Sequence, residues 1–205
     1  DEPLASLDLQ RKQEVLPFIR QLHEHLRIPV LYVSHGLTEI LQLADRVILM
    51  KEGHVAGTGL LNEVFTTLHF RAQLGPHRIG AILNARVIHH DLQYGLTQLD
   101  FNNHALFVPI QSVPVGQALR VHIFSNDVSL VLAQTVVPTS ILNILKATVV
   151  EVREIDQSSV EVVLDIGTPL VASITRKSLM SLGLKPGQRL FAHIKAVALN
   201  EELVE

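Results

Sequence analysis

Two short stretches of this chain repeat each other, and that repetition limits what its C-terminal part can fold into. Val115-Gly116-Gln117-Ala118-Leu119-Arg120-Val121-His122-Ile123 parallels Pro186-Gly187-Gln188-Arg189-Leu190-Phe191-Ala192-His193-Ile194. Upstream, Ala85-Arg86-Val87-Ile88 parallels Ala147-Thr148-Val149-Val150. The later pair is offset by 71 residues and the earlier pair by 62, which places an insertion in the second copy near Thr175–Lys185. Two copies of a β unit, each too small to bury a core alone, are expected to pack as a pair.

Patterning along the chain agrees with a change of architecture near residue 75. Before it, residues 9–26 carry apolar side chains near helical spacing with Asp8 as N-cap and Pro17 as a kink point. Pro29–Val33 and Arg46–Met50 read as short buried strands, with a helical pattern over Leu37–Ala44 between them and turn material at Lys51–His54. Helices alternating with continuous apolar runs predict an α/β layer with a sheet covered on both faces. Gly75-Pro76-His77-Arg78 reads as a linker. Beyond it, eight short strands are predicted: Ala85–His89, Leu96–Leu99, Ala105–Val108, Leu119–Phe124, Ala147–Val152, Ser159–Leu164, Leu170–Ile174 and Leu190–Ala196. They suit a small barrel or two half-barrels.

Composition excludes several chemistries. There is no cysteine in the 205 residues, so disulfide scaffolds, thiolate zinc sites, iron–sulfur clusters and thiol catalysis fall together. No apolar run approaches the roughly 18 residues of a membrane-spanning helix. Residues 1–76 carry seven Lys/Arg against nine Asp/Glu, residues 77–205 ten against eleven, and aromatics make up 4%. Neither part has a nucleic-acid footprint. Of the eleven histidines, His23/His25 and His89/His90 are the close pairs, and neither has a third ligand at metal-binding spacing.

Asp1-Glu2-Pro3-Leu4-Ala5-Ser6-Leu7-Asp8 holds the densest chemistry. Two adjacent acids at a strand end can divide the work of metal-assisted phosphoanhydride hydrolysis, one on a Mg²⁺-bound water and the other on the attacking water. His35 comes after the next apolar run, where α/β sheets place functional groups. The order of this segment with Leu31-Tyr32-Val33-Ser34-His35-Gly36, Ala44–Gly53 and His54–Gly59 resembles the nucleotide-binding subunits of ABC transporters, over about residues 1–70. The resemblance implies that Asp1 is the Walker B magnesium acid, Glu2 the catalytic base and His35 the switch histidine at the γ-phosphate. It further implies that Ala5, Ser6, Leu7 and Asp8 form the D-loop facing a second subunit, although the family usually has Ser-Ala where this chain has Ala5-Ser6. No Gly-x-x-x-x-Gly-Lys-Ser/Thr loop, Gln loop or signature motif occurs, so the chain reads as the C-terminal part of such an ATPase and is expected not to hydrolyse ATP by itself.

The later segment sharpens the resemblance. Thr139–Ala147 and Ala172–Leu179 resemble the Mop module, the molybdate-binding fold, with Ala147 standing where its first motif has Gly. Together with Asn126–Leu130, this is similar to the ATP-binding subunits of molybdate ABC importers. The implied fold class is α/β, a partial P-loop NTPase, followed by an all-β OB-like TOBE/Mop regulatory domain. Residues 1–76 would be the ATPase part, 77–137 a first β unit and 138–205 a Mop-like oxyanion-binding unit. A tetrahedral dianion is held by hydroxyls, N–H groups and one or two cations, which Ser140, Asn143, Thr175, Arg176, Lys177 and Ser178 can supply. From the residues alone, ordinary turn chemistry explains the same positions.

The resemblance implies ATP and Mg²⁺ as cofactors and molybdate or tungstate as regulatory ligand. It implies a homodimer of ATPase subunits on the cytoplasmic face of a cell membrane, bound to an integral-membrane permease served by a periplasmic or extracellular molybdate-binding protein. Two alternatives stand beside it. One is the ATPase of a sulfate, iron, sugar or polyamine importer; the other is a non-catalytic Mop-type oxyanion-binding module. A nucleic-acid-binding barrel is disfavoured by charge.

Overall fold

The computed structural model describes residues 1–26, 28–66, 80–133 and 138–196. The linker expected at Gly75–Arg78 lies outside them. The chain opens in a turn over residues 1–7 and enters helix α1 (Leu9–Leu26). Asp8 caps that helix as expected, its carboxylate accepting the Arg11 N–H at 2.9 Å. Pro17 lies inside α1, and Leu16 is buried while Phe18, Leu22 and Leu26 are exposed.

Residues 28–35, without regular secondary structure, lead into helix α2 (Leu37–Leu43), which is followed by β1 (Arg46–Lys51), β2 (His54–Leu60) and helix α3 (Leu61–Thr66). Here two expectations are corrected. Pro29–Val33 is not a buried strand: Leu31 is 84% exposed, and its neighbours Val30 and Val33 are exposed too. An apolar run becomes a buried strand only when other elements cover both faces, and the described residues supply none there. Likewise β1 pairs antiparallel with β2 in a two-stranded ribbon, and only Val47 of β1 is buried. Val47 packs with Leu61, Val64 and Ile82, flanked by Ile40, Leu41 and Ala44, in a small core that joins this segment to the β region.

The β region opens with β3 (Gly80–Asp91), β4 (Leu96–Phe101), β5 (His104–Pro109) and β6 (Ala118–Phe124), forming a four-stranded antiparallel sheet in the order β5-β4-β3-β6. A 3-10 turn at Ser125–Asp127 leads to β7 (Val128–Val131). Next come β8 (Asn143–Glu154), β9 (Ser159–Asp165), β10 (Pro169–Thr175), helix α4 (Arg176–Leu182) and β11 (Arg189–Ile194). These strands form a second antiparallel sheet, β10-β9-β8-β11-β7. All eight predicted strands are present, and β7, read from sequence as a joining segment, is a ninth. β7 precedes the second copy yet completes its sheet by pairing with β11.

The repeat is visible bond by bond. Val87 donates its N–H to the Gln117 carbonyl (2.9 Å) and accepts from Gly116 (2.8 Å). Val149 does the same with Gln188 (2.9 Å) and Gly187 (2.7 Å). Each register shifts just beyond, between Val87 and His89 and between Val149 and Glu151. Gly116 and Gly187 sit at φ +89° and +83°, a left-handed backbone that suits glycine. The nine-residue offset corresponds to helix α4, which Thr175 caps and Gly183, at φ +59°, ends. One apolar core, including Leu83, Leu99, Leu106, Ile123, Leu145, Leu164, Leu170 and Ile194, draws on both sheets. The copies therefore share a core, as small β units must.

Candidate functional site

Glu2 and His35, both expected to carry phosphate chemistry, stand 33 residues apart in sequence, and the opening turn brings them together. The Glu2 N–H donates to the Val33 carbonyl at 2.8 Å, pinning the start of the chain beside the segment that leads to His35. Glu2 has φ +44°, an uncommon conformation for a side-chain-bearing residue. Its carboxylate meets His35 Nδ1 at 2.7 Å. His35 is 84% exposed at its side chain and Glu2 41%, so the pair faces solvent. Asp1 is exposed next to it, as are Ala5, Ser6 and Asp8, with Leu7 half-buried. Asp8 is occupied as the cap of α1.

Behind the pair lies a group that the sequence reading missed. Glu39 is buried on α2 and accepts three side-chain hydrogen bonds: Lys12 Nζ at 2.8 Å, Tyr32 Oη at 2.9 Å and Ser34 Oγ at 2.6 Å. Burial pushes its carboxyl up, but the bonds from Lys12, Ser34 and Tyr32 and the Lys12 charge outweigh that and hold it below the usual carboxylate range. Burial, and then the Glu39 carboxylate, push the Tyr32 phenol well above its ordinary value. Ser34 Oγ also accepts the Gly36 N–H at 2.9 Å. The residues on both sides of His35 are thus fastened to one buried carboxylate.

The second set of candidates divides. Thr175 Oγ1 accepts the Ser178 N–H at 3.0 Å and meets Ser178 Oγ at 2.8 Å, so both residues build the N-terminal turn of α4. They also line an open groove of about 520 Å³ with Ser129, Ser158, Ser159 and Ser173. The Asp156 carboxylate accepts from Ser159 Oγ (2.5 Å), from Ser158 Oγ (2.8 Å) and from both their N–H groups; these bonds, that of the Ser159 hydroxyl foremost, hold it well below the usual carboxylate range. Arg176 and Lys177 are exposed on the first turn of α4, Arg176 paired with Glu154. Ser140 is exposed just before β8.

Asn143 departs from the expected set. It is fully buried, its Oδ1 accepting the Phe107 N–H at 2.6 Å and its Nδ2 donating to the Phe107 carbonyl at 2.9 Å. Both ends of its amide are bound to the edge strand of the other sheet. Ala147 lies in the shared core opposite Leu190, where its methyl is accommodated.

Known proteins share this sequence over most of its length. Residues 139–200 match the TOBE domain. The molybdenum import ATP-binding protein ModC of Methylococcus capsulatus is 41% identical over 98% of this chain and 56% of its own length. ModC 1 of Azotobacter vinelandii is 43% identical over 97% of this chain and 55% of its own length. Over nearly its whole length the chain is a homologue of the ModC proteins. It spans about half the length of these relatives. Among solved structures, the cytoplasmic molybdate-binding protein ModG with molybdate bound is 20% identical and superposes with a TM-score of 0.49, over 57% of this chain and 91% of that one.

Within this ModC homologue the TOBE match covers β8 to β11, and hence α4 and all six residues expected to bind an oxyanion. Among the described residues no helix is long and apolar enough to cross a membrane, and no group of three His, Asp or Glu side chains could hold a metal ion. Tyr32, Glu39 and Lys12 left no signal in the sequence because they are unexceptional types that meet only in the fold. Ser129 and Ser173 of the groove could have been found only by knowing that β7 and β10 lie near one another.

Proposed function

We propose that this chain carries the water-activating part of the ATP site of a molybdate importer's ATP-binding subunit, joined to a β domain that binds molybdate and regulates transport. The observation that supports it most is the 2.7 Å contact between Glu2 and His35 in a chain homologous to ModC proteins throughout. Of the motifs that the ABC resemblance implies, the chain holds those from the Walker B acids onward.

On this reading Glu2 is the base that takes a proton from the attacking water, and its exposure leaves the carboxylate open to water. As acceptor from His35, the Glu2 carboxylate selects the Nδ1–H tautomer, so a neutral ring offers a lone pair at Nε2 and a protonated ring offers a donor to a γ-phosphate oxygen. Magnesium is held through water by few protein carboxylates and by the substrate's phosphates, and exposed Asp1 fits that donor set. Bound there, it would neutralise charge on the transferred phosphoryl group. The stretch Ala5–Asp8, exposed except at half-buried Leu7, would contact a second subunit in a homodimer. That dimer would drive an integral-membrane permease, supplied by an extracytoplasmic molybdate-binding protein, from the cytoplasmic face.

For the β domain, Ser140, Thr175, Ser178 and the cations of Arg176 and Lys177 would hold the dianion, with Asn143 acting as a structural clamp. Regulation requires that molybdate bind one conformation better than another.

Two measurements test the reading. Fused behind the N-terminal portion of the Methylococcus capsulatus relative, the chain should support ATP hydrolysis, and Glu2→Gln should lower kcat by about 10²–10⁴-fold. A full wild-type rate in that variant would overturn the assignment of Glu2. Calorimetric titration of the 205-residue chain with molybdate should give saturable heat that sulfate fails to compete away. Equal binding of sulfate favours the sulfate importer, and no heat with either removes the regulatory ligand.

A further inference from the structure

Helix α2 is held at both ends, and the two grips come from different parts of the molecule. Its N-terminal end adjoins His35 and Gly36, fastened through Ser34 to Glu39. Its C-terminal end is gripped by Arg120, which belongs to β6 of the first β unit. Arg120 Nη1 donates to the Ala44 carbonyl at 2.7 Å and lies 3.5 Å from the Leu41 carbonyl, while Nη2 bonds the Asp45 carboxylate. The guanidinium therefore meets the last carbonyls of the helix, where a cation is favoured by the unsatisfied acceptors and the helix dipole.

The internal repeat makes this position distinctive. Arg120 corresponds to Phe191 in the second copy, a side chain with no hydrogen-bond donor. Its partial burial, 24% exposed at the side chain, distinguishes it from a surface charge. It also sits beside the small core in which Ile40 and Leu41 of α2 and its C-cap Ala44 pack near Ile82 of β3. An apolar contact alone lets a seven-residue helix slide or turn; a forked donor on its final carbonyls and on Asp45 sets its rotation and its axial position.

We propose that Arg120 is a positioning residue for His35, acting through α2, so that the first β unit sets where the histidine and its Glu2 partner stand. The catalytic meaning of this link rests on the proposed role of Glu2 and His35 in ATP hydrolysis, but the link itself is a property of this chain and needs no nucleotide. His35 is one residue before the α2 N-cap, and the helix makes only about two turns, so a rotation allowed at Ala44 reaches His35 with little loss. The Lys12–Glu39 pair ties the first turn of the lever to α1.

The test uses amide hydrogen exchange and the His35 ring resonances at one pH, in the 205-residue chain and its variants. Arg120→Met should raise exchange at Ile40 and Ala44 by about tenfold, from loss of a C-terminal cation and its hydrogen bonds. It should move the His35 ring signals towards those of Glu2→Gln, while Leu145 and Val162 in the shared β core exchange as before. Arg120→Lys should restore part of the protection, since an ammonium keeps the charge but loses the fork. Asp45→Asn, which leaves the β unit untouched, should shift the same signals in the same direction by a smaller amount. Unmoved α2 amides and an unmoved His35 in Arg120→Met would overturn the proposal, as would an equal loss of protection in α2 and the shared β core. A Glu2→Gln fusion protein with full ATPase activity would instead remove the catalytic reading and leave the link standing.

Discussion

The carboxamide of Asn143 reaches across to the backbone of Phe107 and satisfies both its N–H and its carbonyl, at 2.6 and 2.9 Å. Phe107 lies on β5, the edge strand of the first sheet, and Asn143 opens β8 at the heart of the second. One side chain thus does what a neighbouring strand would do, and does it between the two copies of the repeat. Removing it leaves a buried donor and acceptor unpaired. Asn143→Ala should destabilise the chain by about 2–4 kcal/mol, and Asn143→Asp should cost at least as much because an oxygen then faces the Phe107 carbonyl. Urea denaturation monitored by far-ultraviolet circular dichroism measures both; a loss below about 0.5 kcal/mol in either would show the clamp to be idle.

The two glycines of the repeat offer a comparison within one molecule. Gly116 and Gly187 have nearly equal φ values, and a Cβ added at either meets no atom within 4 Å. The cost of Ala there is backbone strain alone, about 1–2 kcal/mol at each site. The single variants should be alike, and the double variant should sum to within about 0.5 kcal/mol, since the sites make separate contacts. A much larger effect at one site, by thermal denaturation, would break the equivalence of the copies.

Glu39 gives the chain an acid sensitivity that can be assigned to one residue. Its folded-state carboxyl is held below the unfolded value of about 4.3. The stabilisation is therefore fully present above that value and is lost as pH falls through the folded one. Glu39→Gln should cost about 2–3 kcal/mol at about pH 7, because Lys12 is left without its counter-charge. The variant should also lose less stability than wild type between about pH 5 and pH 3. Parallel pH profiles would mean that the acid loss arises elsewhere.

Tyr32 reports on the same cluster from the other side. Burial raises its phenol first, and the hydrogen bond and charge of Glu39 raise it further. In a Tyr94→Phe background, absorbance of tyrosinate should be absent at about pH 10.5 while the protein is folded, and Glu39→Gln should bring ionisation to lower pH. The neutral phenol is what the fold favours, so its contribution to stability is lost as pH rises through the folded value. Half-ionisation near the ordinary value of about 10 would contradict the cluster.

How much of this was legible beforehand obeys a physical division. Alternating patterns are local, and every strand expected after residue 84 is present. β7 was missed because four residues show too little period to separate a strand from a joining segment, and its partner β11 lies far along the chain. α4 was legible only as a discrepancy in spacing, although Thr175, Ser178 and Gly183 were already the cap signals of a short helix. Pro29–Val33 failed for the opposite reason: an apolar run states that burial is favourable, not that a partner is present. Of the site residues, Glu2 and His35 were implied by the resemblance to ABC ATPases, and the fold puts them in contact. Glu39, Arg120 and the clamp role of Asn143 depend on contacts between distant segments, which no local pattern encodes.

The first turn of α4 can separate a structural from a binding role, because its residues do different things. Thr175 caps the helix through its hydroxyl, and Ser178 receives that cap through its N–H. Thr175→Ala should therefore destabilise the chain by about 1 kcal/mol whether or not an anion binds, and Thr175→Ser should restore it. Lys177 is exposed and has no bonded partner among the described residues, so Lys177→Ala should leave stability within about 0.5 kcal/mol. If the exposed first turn of α4 holds molybdate through Lys177, that same variant should weaken binding about tenfold, the loss of one charge-assisted contact. Calorimetry with molybdate on the three variants distinguishes these effects. Undiminished affinity in Lys177→Ala would remove Lys177 from the oxyanion site, and undiminished affinity in Thr175→Ala would leave Thr175 as a helix cap only.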